Sequence, residues 1–397
     1  MTAMLVSRVG PAQCDDSIPK SAPVFREPVA VSDATVQGVV GVAIVDTGFS
    51  AGLMFDHDQV DFDKAGNRRT EVDLFTNLQQ RPVQGWESVS FEVAGHSVAG
   101  VVAVRSNMDD LRRHFQHEFI VGMQALNGCT MSFGPQTRGV SIRDGGQLRT
   151  NPRTLQVRRS VNGSPEVPID IPVLGNIHVL LDTGSSGTVK LRHERLEFLV
   201  RCGVARRVNR LGMTVDALGS ATRTDSEYVV RRISVGPCVF HDVRAKAARI
   251  ENIGMGLLRY FTVTLDFASD LALFEPVPPD RKEIRPAIPA AGFIPAPYGA
   301  DPSRPITVDI VEADSPASRA GLVHGDIIHQ IDGQPVAGMS WWDRIDVFAE
   351  VGRTRRLTVE RDGKELLLDL KLAHNFSWPI EWPPEKPEFS PEPCGGP

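Results

Sequence analysis

Residues 44–50 read Ile44-Val45-Asp46-Thr47-Gly48-Phe49-Ser50, and residues 180–186 read Leu180-Leu181-Asp182-Thr183-Gly184-Ser185-Ser186. In each, two aliphatic residues run into Asp-Thr-Gly. The aliphatic run reads as the end of a buried strand, and the glycine permits a tight turn after it. A carboxylate at such a turn is partly buried, where its charge is costly unless compensated. Two such carboxylates in one site cannot easily both ionise. One then keeps a proton, and the cavity holds an acid and a base together.

The surrounding pattern repeats as well. Asp46 lies 76 residues before Gly122, and Asp182 lies 72 before Gly254. Each glycine is followed by Met (Met123, Met255), by Leu at the fourth place (Leu126, Leu258) and by Thr at the eighth (Thr130, Thr262). Agreement in motif, order and spacing indicates a duplicated unit. The intervening sequence reads as strands and turns. Residues 29–38 and 40–48 are strands, and residues 84–104 alternate about Ala94-Gly95-His96 as a hairpin. Residues 108–115 read as a short helix or turn. Asn162-Gly163 predicts a type I′ turn, and a second turn falls near Gly175-Asn176. Residues 226–247 alternate much as residues 84–104 do.

The composition suits a soluble, turn-rich, mainly β protein of two or three domains, with 397 residues, 35 Gly and 29 Pro. A net charge of -6 argues against a nucleic-acid or polybasic membrane partner. No window approaches a membrane-spanning length of apolar residues. Residues 1–14 lack the apolar core of a secretory signal, and the five cysteines form no CxxC pair. The expected setting is therefore cytoplasmic, with reduced thiols. No histidine stands in an HExxH spacing, so no metal or other cofactor is expected. His178 reads as structural, Met123 and Met255 as core, and residues 201–210 as a solvated basic face. Ser185 and Ser186 lack the Gly-x-Ser-x-Gly elbow of a serine hydrolase.

Residues 27–276 resemble the aspartic protease superfamily, the pepsin and retropepsin group. The resemblance rests on the paired Asp-Thr-Gly motifs and on Ile120-Val121-Gly122 and Asn252-Ile253-Gly254, which stand where that group has two hydrophobic residues and Gly. Asn252 departs from the first hydrophobic position. Residues 179–188 and 252–267 look especially like bacterial retropepsin-type domains. The resemblance implies a bilobal β-barrel protease fold with both lobes in one chain. It implies that Asp46 and Asp182 are a catalytic dyad acting on a water, without metal or covalent intermediate. Thr47 and Thr183 would brace the loops, Gly48 and Gly184 would let backbone amides reach the carboxylates, and Gly122 and Gly254 would pack behind them. Ser185 would hydrogen-bond the outer oxygen of Asp182. Phe49 holds that place in the first lobe, where it removes one such bond and is expected to crowd the cleft. Flap candidates are Leu218, Gly219 and Ser220 in the second lobe, preceded by Ala217, and residues 79–85 in the first.

Residues 306–336 resemble a bacterial PDZ domain through Ser315-Pro316-Ala317, Ala320-Gly321-Leu322, Gly325-Asp326-Ile327-Ile328 and Ile331-Asp332-Gly333. Residues 341–350 would be its groove helix, and Asp362-Gly363 would turn a hairpin. Such domains add an extended peptide as a strand and catch a C-terminal carboxylate. Gly292, Phe293 and Ile294, after Ala291, are the candidates for that loop. The expected organisation is a flexible segment at 1–26, lobes at 27–146 and 147–276, and a stiff Pro-rich linker at 277–290. A small α+β PDZ domain at 291–373 and a Pro-rich tail at 374–397 complete it. The leading expectation is an aspartic endopeptidase whose PDZ domain recruits or gates peptide substrate or a C-terminal peptide ligand. The alternatives are a non-catalytic peptide-binding scaffold on the same fold, or a protease competent only as a dimer.

Overall fold

The structure is a computed structural model. It describes residues 30–373, apart from 57, 76–79, 106–117, 136, 138–139, 152, 216–220 and 296–302, together with Trp382. The terminal segment, the helix expected at 108–115, residue 79 of the first flap candidate and residues 217–220 of the second therefore lie outside the described residues.

The first half contributes β1 (Val31–Val36), β2 (Val39–Val45), β3 (Leu53–Phe55), β4 (Arg69–Phe75), β5 (Gln80–Val93), β6 (His96–Arg105) and β7 (Phe119–Val121). After them come a single helical turn, α1 (Met123–Leu126), and then β8 (Cys129–Phe133) and β9 (Ser141–Asp144). The order β1-β2-β7-β3-β6-β5 is closed by β1 pairing with β5, and β4 adds to β5 as a hairpin. The hairpin expected at Ala94-Gly95-His96 joins β5 to β6. Ala94 and Gly95 both have positive φ, 52° and 73°, as a type I′ turn requires.

The second half repeats this order. It contains β10 (Thr154–Gln156), β11 (Arg158–Arg159), β12 (Pro165–Ile171), β13 (Gly175–Leu181), β14 (Val189–Leu191) and a helix, α2 (His193–Arg201). Next are β15 (Ala205–Val215), β16 (Ala221–Val235), β17 (Cys238–Ala247), β18 (Asn252–Ile253), the turn α3 (Met255–Leu258), β19 (Phe261–Asp266) and β20 (Leu271–Pro276). The ring β12-β13-β18-β14-β17-β16 closes through β12 and β16, and β15 hairpins onto β16. Position by position the two rings have the same connectivity, so the duplication extends from motif to topology. Closure removes the free sheet edges that a single such unit would otherwise expose.

The expected type I′ turn at Asn162-Gly163 takes another form. Only Gly163 has positive φ, 81°. The Ser160 hydroxyl accepts from the amides of Asn162 and Ser164, at 3.3 and 3.1 Å, and supports a longer turn with one left-handed residue.

A sheet of order β10-β20-β19-β8-β9 joins the halves. β19 of the second half pairs with β8 of the first, Val263 opposite Phe133 and Leu265 opposite Met131. All four of these residues are fully buried, and one hydrophobic core runs through both barrels and this sheet. The stretch at 277–290, expected as a stiff linker, is instead laid on the second barrel. Its strand β21 (Glu283–Ile284) pairs in parallel with β17, and Ile284 and Ile288 are buried. Ile284 joins the main core of the barrels, whereas Ala290 at the end of the stretch belongs to the core of the C-terminal unit.

The C-terminal unit has its own core, including Val308, Ile328, Leu357, Val359 and Leu370. Its strands are β22 (Phe293–Pro295), β23 (Ile306–Val311), β24 (Ile327–Ile331), β25 (Gln334–Pro335), β26 (Thr354–Arg361) and β27 (Lys364–Lys371). Two helices complete it, α4 (Pro316–Arg319) and α5 (Trp341–Val347). Ser315 caps α4 through the Ser318 amide, with Pro316 pre-set for the first turn. Ser340 and Asp343 form a reciprocal capping box on α5. Helix α5 has two loyalties. Phe348 just beyond it enters the local core, whereas Trp341, Trp342 and Ile345 pack against the main core of the lobes. Arg259 follows α3 and lies between the rings of Tyr260 and Trp342, at 4.8 and 4.7 Å, and bonds Asp346 at 2.8 Å. Trp382 donates to Asp242 at 2.8 Å on the second barrel. Among the described residues no helix is long and apolar enough to cross a membrane.

Candidate active site

β2 and β13 deliver Asp46 and Asp182 to the same place. Each strand runs parallel to a short partner, β7 or β18, and the amide just past its end is held there. Asp46 N–H donates to Val121 at 2.8 Å, and Asp182 N–H to Ile253 at 3.0 Å. The next residue of each loop reaches across to the other lobe. The Thr47 hydroxyl donates to the Leu181 carbonyl, and the Thr183 hydroxyl to the Val45 carbonyl, both at 2.5 Å. Each hydroxyl also accepts the other threonine's amide at 3.1 Å. Both threonines are fully buried. Four buried hydrogen bonds thus lock the two loops about an approximate two-fold axis.

This lock brings the carboxyl groups of Asp46 and Asp182 into a hydrogen bond with each other. The adjoining glycines allow the approach. A Cβ on Gly184 would lie 2.3 Å from Asp46 Cγ, and one on Gly48 would lie 3.0 Å from Asp182 Cγ. The Gly48 amide donates to Asp46 Oδ1 at 2.7 Å. Gly122 and Gly254 sit behind the loops in matching ways. Met123 N–H donates to Phe49 at 2.8 Å, and Met255 N–H to Ser185 at 2.7 Å. A Cβ on Gly122 would come within 2.3 Å of the Ala51 carbonyl, and one on Gly254 within 2.5 Å of the Ser185 carbonyl.

Asp46 and Asp182 are each open to the surface only in part. Burial and the neighbouring Asp182 carboxyl push Asp46 up to about 8, against a partial offset from the Gly48 amide. Burial also raises Asp182, opposed by Lys190, by the hydrogen bond from Asp46 and by the amides of Gly184 and Asn252. Both carboxyls are therefore held above the usual carboxylate range, and they titrate as a pair.

Two expected details are corrected. Phe49 does not crowd the cleft. It is buried in the first lobe among Ile44, Ala51, Met54 and Ile120, because the backbone beyond Gly48 turns its ring inward. The Ser185 hydroxyl, expected on the outer oxygen of Asp182, is buried without a hydrogen-bond partner. The amide of Asn252 takes that place, donating to Asp182 Oδ2 at 2.6 Å from the neighbouring strand. Asn252 registered in the sequence only as a departure from a hydrophobic pattern, and Lys190 gave no signal there.

Two long hairpins, β4–β5 and β15–β16, extend from the barrels at matching places. The first contains residues 80–85 of the earlier expectation. Leu218, Gly219 and Ser220, between β15 and β16 in sequence, lie outside the described residues. In the C-terminal unit, Gly292 has φ 75° and leads into Phe293 and Ile294 on β22, an edge strand antiparallel to β23. Phe293 meets Phe348 edge to face at 5.2 Å. Among the described residues no group of three or more His, Cys, Asp or Glu is placed to hold a metal ion.

Residues 296–372 match the family model of the PDZ domain, so the chain carries a PDZ domain there. A comparison with curated proteins gives no match.

Proposed function

We propose that the chain is an aspartic endopeptidase with its dyad formed within one chain by Asp46 and Asp182. The observation that carries this reading is the reciprocal lock of Thr47 and Thr183, which holds two carboxyl groups against each other. In the reaction the ionised carboxylate takes a proton from a water as its oxygen attacks the peptide carbonyl carbon. The protonated partner donates to the carbonyl oxygen, and a tetrahedral diol results. Its collapse, with proton transfer to nitrogen, breaks the C–N bond and releases the acid and the amine. In this reading the β4–β5 and β15–β16 hairpins, equivalent in the two barrels, are the flaps that close over an extended substrate. Phe49, which holds the place of a dyad-bonding residue in the first lobe, lies in a buried apolar cluster, and this supports the reading over an inactive scaffold.

The PDZ domain supports peptide recruitment or gating beside this site. Its edge strand β22 is available for strand addition, with Gly292, Phe293 and Ile294 at the start of that edge. Cleavage of a peptide library across pH by the full chain tests the reading. Asp46→Asn and Asp182→Asn should each abolish cleavage. Equal cleavage by wild type and Asp182→Asn would sink it.

A further inference from the structure

The two lobes are chemically unequal directly beneath the dyad. In the first barrel, Ile44, Ile120, Met54 and Val104 are cross-strand neighbours on β2, β7, β3 and β6. With Phe49 they belong to one buried apolar cluster. The same four places in the second barrel are Leu180, Asn252, Lys190 and Lys246 on β13, β18, β14 and β17. An apolar row under Asp46 is thus matched by a largely polar row under Asp182.

Asn252 is 1% exposed, and its amide lies 2.6 Å from Asp182 Oδ2. Lys190 comes up beside the same loop. A Cβ on Gly187 would lie 3.9 Å from its Cε and 3.7 Å from Ser185 Oγ. The charged groups around Asp182 are Asp46 from the opposite loop and Lys190 from β14. Behind Lys190 are Lys246 and Arg244, both bound to the buried Glu227. Among the described residues no first-lobe group supplies Asp46 with a comparable amide or cation, although Lys190 of the second lobe lowers Asp46 as well as Asp182. The nearest support of Asp46 is the Gly48 backbone amide.

Resting on the peptidase reading, we propose that Asn252 is a positioning residue that makes Asp182 the ionised base and leaves Asp46 as the acid. The Asn252 Nδ2 donates to Asp182 Oδ2, and a donated hydrogen bond favours the charged carboxylate. Asp182 then takes the proton from the attacking water, and Asp46 gives its proton to the carbonyl oxygen. Phe49 and Asn252 become two halves of one arrangement. Phe49 and its apolar neighbours keep Asp46 neutral, and the Asn252 amide, which reaches Asp182 alone, keeps Asp182 charged.

The test uses the full chain labelled with carbon-13 at aspartate Cγ, with dyad signals assigned from Asp46→Asn and Asp182→Asn. In Asn252→Leu, and in Asn252→Ala should the larger side chain prevent folding, the lower of the pair's two apparent pKa values should rise by about one unit. The acid limb of kcat/KM on a cleaved peptide should move by the same amount. A purely structural Asn252 would lower Tm and leave both titrations in place. That result overturns the proposal, as does a Ser185→Ala variant that reproduces the shift when the Asn252 variants do not. A wild-type chain that titrates as a coupled pair yet cleaves no peptide would refute the peptidase reading alone. The carbon-13 titration would still decide what Asn252 does.

Discussion

Replacing Thr183 with Val removes a hydroxyl and keeps the shape of the side chain, so the cost falls on hydrogen bonds alone. The hydroxyl donates to Val45 at 2.5 Å and accepts from the Thr47 amide at 3.1 Å, and the site is fully buried. Each lost bond forfeits about 1 kcal/mol net, and a buried amide or carbonyl left without a partner costs about 1–3 kcal/mol. Two groups are stranded, the Thr47 N–H and the Val45 C=O. Alternative contacts recover part of this, so the expected loss is about 3–4 kcal/mol. That is a large share of the roughly 5–15 kcal/mol that holds a typical domain folded. Urea unfolding followed by circular dichroism, with Thr47→Val alongside, measures it. By the two-fold relation the two variants should lose similar amounts. The double variant should lose less than their sum, because both hydroxyls belong to one network. Peptide cleavage should fall in both variants, since the lock sets the spacing of the carboxyl groups. A loss below about 0.5 kcal/mol in either single variant would refute the account of the lock.

Two further predictions concern the proton and the docking of the PDZ domain. Asp46 is raised from 3.8 to about 8, and Asp182 is also raised, so the native pair retains a proton that the unfolded chain gives up near pH 4. The resulting stability is complete below about pH 4 and is lost as pH rises through about 8. Asp46→Asn should therefore gain stability relative to wild type between pH 4 and 9 in urea titrations; a constant difference would contradict the assigned shift. Arg259→Ala removes two ring contacts and an ion pair to Asp346 from a nearly buried guanidinium. A loss of about 2–3 kcal/mol is expected at this contact. It should appear as faster hydrogen exchange in α5 and in residues 255–260, and unchanged exchange in both would count against the docking of α5.

Much of the fold was legible because its signals are local. Two aliphatic residues before Asp-Thr-Gly, a glycine with its Met and Leu some 75 residues later, and alternating runs between them are short-range patterns. Together they anticipated a duplicated, mainly β chain. The PDZ domain was readable for the same reason, since its turns and caps lie within a few residues of one another. The turn at Asn162-Gly163 departed from expectation because a side chain, Ser160, competed for the backbone amides that a two-residue turn would have paired. The stretch at 277–290 departed because its destination was the surface of a barrel.

The sequence by itself determined that two carboxylates end equivalent strands, with threonine and glycine beside each. Only the tertiary structure decided what surrounds those carboxylates. The Phe49 ring could have faced the cleft or an apolar surface, and the pairing of β2, β7, β3 and β6 supplied a separate buried cluster that takes it. Asn252 read as a flaw in a hydrophobic pattern until β18 was laid beside β13, which brought its amide to a carboxylate 70 residues earlier. Hydrogen bonds and fields act through distances of a few ångströms, and between remote segments those distances exist only once strands have paired. The residues that distinguish Asp46 from Asp182 therefore emerged from the register of the sheets.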